Sequence, residues 1–88
     1  MTTKVLEDIY AEARVCSEQL RELGLTEWSE ELDRALWGGS SGEILTLMAA
    51  CITRTLRWPG RPPQPLRTRL KSLLARAVAL LHEVGQGP

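Results

Sequence analysis

Few residues in this chain can do covalent or metal chemistry. It has one histidine, His82, and two cysteines, Cys16 and Cys51, far apart in sequence. A structural zinc site is built from closely spaced pairs of soft ligands, and there is no C-x-x-C and no H-x-x-x-H here. A nucleophilic cysteine needs a base beside it and a third group to orient that base. Cys16 and His82 belong to different stretches, and no orienting partner accompanies them. His82 closes a C-terminal helical pattern, where a cation is favoured by the helix dipole. The expectation is a chain with no catalytic residue, no metal and no cofactor. Both thiols fall on apolar helical faces, so they are expected to be free and buried, as in a cytoplasmic protein.

What remains is charge and aromatic surface. Glu27, Glu30, Glu31 and Asp33 cluster within a few residues. Clustered acids on a helix form a solvated face, or an acidic docking surface for a basic partner such as a nuclease-like toxin. The net charge is zero, but residues 1–43 hold ten acids and four bases, a net of −6, while residues 44–88 hold one acid, Glu83, and seven bases, a net of +6. The halves can complement each other across the molecule, or one can face a partner of opposite sign. The basic half (Arg54, Arg57, Arg61, Arg67, Arg69, Lys71, Arg76) could contact phosphates. No helix-turn-helix pair is evident, though, and the acidic half would repel a nucleic-acid backbone, so nucleic acid is the less favoured partner. Trp58 stands between Arg57 and Arg61 beside a proline loop, a composition suited to partner contact.

The stretch Gly38-Gly39-Ser40-Ser41-Gly42-Glu43 could cradle an anion at a helix start. It lacks the lysine of a P-loop and no strand precedes it, so it reads as a hinge. Either Gly38 or Gly39 can end the preceding helix with φ > 0. Ser40 and Glu43 have the spacing of a capping box.

These residues must be positioned by helices, because apolar residues recur at spacings of three and four and no strand signal appears. Helices are expected over about 4–23, 27–37, 41–57 and 65–84, with a proline-rich linker over 58–65. The first stripe is Leu6, Ile9, Ala13, Cys16, Leu20 and Leu23, widened by Val5 and Tyr10, with Thr2 or Thr3 as N-cap and Gly24 as the stop. Thr26 is the expected N-cap of the short second helix, and Trp28, Leu32, Ala35 and Leu36 its stripe; Trp28 and Trp37 are expected to anchor the core. The third helix is the most apolar (Ile44, Leu45, Leu47, Met48, Cys51, Ile52, Leu56) and is expected at the centre. Pro65 suits position N1 of the fourth helix, whose stripe is Leu66, Leu70, Leu73, Leu74, Ala77, Leu80, Leu81 and Val84. The fold class expected is all-α, a small antiparallel bundle of four helices in one domain over residues 1–88. No apolar run approaches the roughly 20 residues that span a bilayer, and nothing resembles a signal peptide.

Leu23-Gly24-Leu25-Thr26-Glu27-Trp28-Ser29, followed by Leu32, Leu36 and Gly38-Gly39-Ser40-Ser41-Gly42-Glu43-Ile44-Leu45, resembles the L-G-x-x-x-W-A…L…G-G-S-x-G-x-E-I pattern of small bacterial all-helical proteins, some of them similar to immunity proteins that neutralise a cognate toxin. Ser29 stands where that pattern has alanine. The resemblance implies a helical bundle whose partner is another protein, the toxin, occluded without chemistry. Glu27, Glu30, Glu31, Asp33, Arg57, Trp58 and Arg61 are the candidate contact residues, chosen on charge and aromatic character. A homodimeric structural or adaptor subunit is the alternative, and a nucleic-acid-binding regulator the third reading.

Overall fold

The computed structural model describes residues 2–57 and 62–85. Among the described residues four helices form: α1 (Thr2–Glu22), α2 (Thr26–Ala35), α3 (Ser41–Arg57) and α4 (Gln64–Gly85). The all-α expectation therefore holds. Trp58 and Arg61, with most of the proline linker, lie outside the described residues, as does the C-terminal tail.

The helices close into a ring. α1 packs on α2, α2 on α3, α3 on α4, and α4 returns to α1. Short links between successive helices make neighbours antiparallel. No helix is central, so the expected position of α3 is corrected: it is one wall of four. Its apolar excess does not lie at the middle of the bundle, because Leu47 points outward and is 48% exposed. The core is the axis between the walls, filled by Ile9, Ala13, Cys16 and Leu20 of α1, Leu32 and Ala35 of α2, Leu45, Met48, Cys51 and Ile52 of α3, and Leu66, Leu70, Leu73, Ala77 and Leu80 of α4. Burying one such leucine contributes roughly 1.5–3 kcal/mol. Pro62 is buried where the chain enters α4.

The turns differ from their expected forms, each for a local reason. Gly24, at φ 82°, is the only described residue with positive φ. It closes α1 with a pair of backbone bonds, Gly24 N–H to Arg21 O at 3.0 Å and Leu25 N–H to Leu20 O at 2.9 Å. This is a Schellman ending, which needs the left-handed residue that glycine supplies. The paired ending brings the chain straight into α2, so Leu25 is the N-cap and Thr26 is already helical; no side chain caps this end. Leu23 is carried past the stripe and lies exposed.

α2 ends earlier than expected, at Ala35, with Leu36 in the right-handed region. Tight bonds from Trp37 N–H to Arg34 O and from Gly38 N–H to Ala35 O unwind it. Neither Gly38 nor Gly39 takes positive φ. Gly38 is needed for closeness instead: a Cβ there would lie 3.2 Å from Ile44 Cγ1 and 3.3 Å from Ala35 O. Ser40 then caps α3, its hydroxyl accepting Glu43 N–H at 3.2 Å. The return bond of a full capping box is not formed; the Glu43 carboxylate leans toward Gly39. At the other ends, α1 already includes Thr2 and Thr3, and α4 starts at Gln64. Pro65 is thus one place further into the first turn than expected, still where a missing N–H costs nothing. Arg67 N–H bonds to Pro63 O at 3.0 Å to begin that helix.

Candidate protein-binding surface

Three side-chain arrangements determine which charges are spent inside the molecule and which face solvent. The first joins α1 to α2. Ser17 and Arg21 are four residues apart on α1, and Ser29 and Asp33 four apart on α2, so each pair shares one helix face. Ser17 Oγ lies 2.6 Å from Asp33 Oδ1, 2.9 Å from Ser29 Oγ and 3.2 Å from Ser29 O. Ser17 has one proton to give. The shortest contact is with the carboxylate, so Ser17 donates to Asp33 and accepts from Ser29. Arg21 Nη2 donates to the other oxygen, Asp33 Oδ2, at 2.8 Å. Both serines are buried, and burying a hydroxyl without a partner costs about 1–3 kcal/mol. Asp33, a candidate contact residue, is thus engaged within the hairpin. Ser29, where the resembling pattern has alanine, exists to meet Ser17.

The second and third arrangements join the two halves. Arg54 of α3 pairs with Glu31 of α2, and Arg69 of α4 pairs with Glu12 of α1 at 3.3 Å. Because the ring places the acidic hairpin against the basic pair at two seams, each seam receives one acid–base contact. These pairs are largely exposed and contribute at most about 1 kcal/mol apiece; they favour this register of the halves over others. The expected complementarity of the halves is therefore visible, and it takes up Glu31. Within the basic half, Arg67 Nη1 donates to Gln64 at 3.2 Å, while its buried Nε has no partner among the described residues.

The remaining acids of the hairpin are free to meet something else. Glu18, Glu22, Glu27 and Glu30 are exposed and, among the described residues, make no ion pair. They gather near the α1–α2 turn. A cleft of about 420 Å³ opens there, lined by Gly24, Leu25, Thr26, Glu27 and Trp28, with exposed Leu23 beside it. Of the candidates on α2, Glu27 and Glu30 therefore belong to an open acidic surface, while Glu31 and Asp33 are tied to arginines. Arg57 is exposed at the end of α3.

Trp37 corrects a further expectation. It is 87% exposed rather than a core anchor, because α2 stops before it and the tight turn throws it outward. It lines a cleft of about 340 Å³ with Arg14, Asp33 and Leu36. Trp28 is half-buried and packs against the core.

Cys16 and Cys51 are free and buried, as expected. Burial pushes the Cys16 thiol up to about 12, with the Glu12 carboxylate adding to the rise and Arg69 opposing it. Burial likewise pushes Cys51 up to about 11, against a lowering hydrogen bond from Thr55. Both are neutral thiols at pH 7 and poor nucleophiles. Among the described residues no group of three or more His, Cys, Asp or Glu is placed to hold a metal ion, and no helix is long and apolar enough to cross a membrane. Compared with protein-family models, curated proteins and solved structures, the chain matches none.

The buried serines and Trp37 escaped the sequence reading. Ser17 and Ser29 carried one usable signal: each sits four residues before a charged residue of opposite sign, Arg21 and Asp33, on either side of a short turn. For Trp37 the signal was its place just before two glycines, where a helix stripe no longer governs direction.

Proposed function

We propose that this chain is a non-catalytic protein-binding module of the immunity or antitoxin kind, working in the cytoplasm, which occludes a basic partner such as a toxin. One observation carries the reading. After the ion pairs within the molecule are formed, the α1–α2 hairpin still presents Glu18, Glu22, Glu27 and Glu30 to solvent, and an open cleft at its turn is lined by Glu27, Leu25 and Trp28. Exposed like charges repel one another and weaken the compact state. A basic partner relieves that repulsion and is steered toward it, with association rates raised by the field. The apolar residues supply the dry centre that binding energy requires. Occlusion needs a rigid complementary surface and no chemistry, and the Ser17–Ser29–Asp33–Arg21 network gives the hairpin that rigidity.

The test is affinity capture of the tagged full chain from its native host, followed by the double substitution Glu27→Lys, Glu30→Lys. Recovery of one stoichiometric basic protein, lost with the double variant and inhibited by the wild-type chain, is the expected result. Capture of no heterologous partner, or of one that the double variant holds equally well, counts against the proposal.

A further inference from the structure

α3 has an outward face that carries few charges. Glu43, Thr46, Leu47, Ala50, Thr53, Arg54 and Arg57 lie on this side, away from the core residues Leu45, Met48 and Ile52. Between Glu43 and Arg54 there is no charge. The two threonine hydroxyls are satisfied within the helix: Thr46 Oγ1 donates to Gly42 O and Thr53 Oγ1 to Ala49 O, each at 2.8 Å. Such back-bonding leaves the methyl groups as the outer surface. With Leu47 and Ala50, they make a short apolar strip with Glu43 at one end and Arg54 and Arg57 at the other, and on its α2 side Leu47 lines a cleft with Glu31, Arg34, Ala35 and Arg54. Glu43 and Arg57 make no ion pair among the described residues.

We propose that this face binds the α3 of a second copy of the chain, antiparallel, about a two-fold axis at Ala50. The charge pattern selects this occupant. A two-fold contact is self-complementary, residue against residue. With the axis at Ala50, the two Ala50 residues meet, Leu47 lies opposite Thr53 of the second copy, and Glu43 lies opposite Arg57 of the second copy. The middle of the strip meets itself, Thr46 meets Arg54 of the second copy, and each acidic end meets a basic end. A parallel pairing would set acid on acid. Ala50 at the axis lets the helices approach closely. One helix pair is small against the ~1,200–2,000 Å² of specific stable interfaces, so the dimer is a weak one. The acidic hairpin is not used, so the dimer stands or falls apart from the proposed function.

Sedimentation equilibrium of the full chain over graded concentrations tests this. The wild type is expected to pass from monomer to dimer. Ala50→Glu, at an exposed position, sets two carboxylates against each other on the axis and is expected to raise the dissociation constant by at least about tenfold with unchanged circular dichroism. Glu43→Arg and Arg57→Glu are each expected to weaken the dimer, and the two together to restore it, since the swap recreates the complementarity. That restoration reads the interface even if a single variant loses stability. A chain that stays monomeric to ~1 mM, or a dimer indifferent to Ala50→Glu and to the swap, overturns the proposal.

Discussion

The outward face of the α1–α2 hairpin and that of α3 are both open to water, yet they are built in opposite ways. The hairpin keeps exposed carboxylates that make no ion pair among the described residues, and a cleft of mixed polarity opens at its turn. The α3 face keeps its charges at the ends and satisfies its hydroxyls internally. The first has a long-range field and suits capture of a partner of opposite sign. The second has little field in its middle and suits close packing with something equally flat. Net charge alone hides this, because the two halves cancel to zero. The pairs Glu12–Arg69 and Glu31–Arg54 take one acid and one base at each seam, while the sparse charge on α3 comes from its sequence, which has no charged residue between Glu43 and Arg54.

Alkali should break the comparison most completely, because it acts on the core that both faces share. The Cys16 and Cys51 thiols are held near 12 and 11 in the folded chain, against 9.0 when free. Well below pH 9 both states keep these protons and pH has no effect through them. As pH rises above 9 the unfolded chain releases its thiol protons first, so stability falls progressively until the folded thiols also titrate. Urea midpoints are expected to drop between pH 8.5 and about pH 10.5, and to drop less in a variant with both cysteines replaced by alanine. An identical decline in the two proteins would remove the thiols as the cause.

Asp33→Ala comes next and acts on the hairpin alone. It leaves Ser17 without its carboxylate acceptor and Arg21 without its partner, and should cost about 1–3 kcal/mol in chemical denaturation. A loss below the error of the measurement would mean the network does not stiffen the hairpin. Ser40→Ala removes the only side-chain cap at the joint between the two faces and should cost about 0.5–1 kcal/mol, since just one of the two capping bonds is formed. Trp37→Ala should change stability least, within roughly 0.5 kcal/mol, because the side chain is exposed. A large loss there would show that Trp37 packs in solution.

Much of the frame was legible in the sequence. The stripe Ile9–Ala13–Cys16–Leu20 and the run Leu66–Leu70–Leu73–Ala77–Leu80 are periodic for so long that their helical form and buried face follow directly. Gly24 was legible as a stop because φ > 0 is what a glycine after a helix commonly provides. The joints were harder. Gly38 looks like another helix stop but serves closeness to Ile44, a contact across the turn that depends on how α3 is set against the end of α2. Thr26 has the side chain of a cap, yet the Schellman pair at Gly24 and Leu25 had already determined where α2 begins. The charge division was legible as a total, while the particular acids left over were not. Which carboxylate meets which arginine depends on the ring order of the helices and on seams between residues far apart in the chain, such as Glu12 and Arg69.

The most direct test of this division of surfaces compares two variants against one captured partner. Binding of that partner, by calorimetry on the full chain, is measured for Glu27→Lys, Glu30→Lys and for Ala50→Glu. The double hairpin variant is expected to lose the partner while the α3 variant keeps wild-type affinity. Equal loss in both, or retention by the hairpin variant, would contradict the assignment of capture to the acidic hairpin and of self-association to α3.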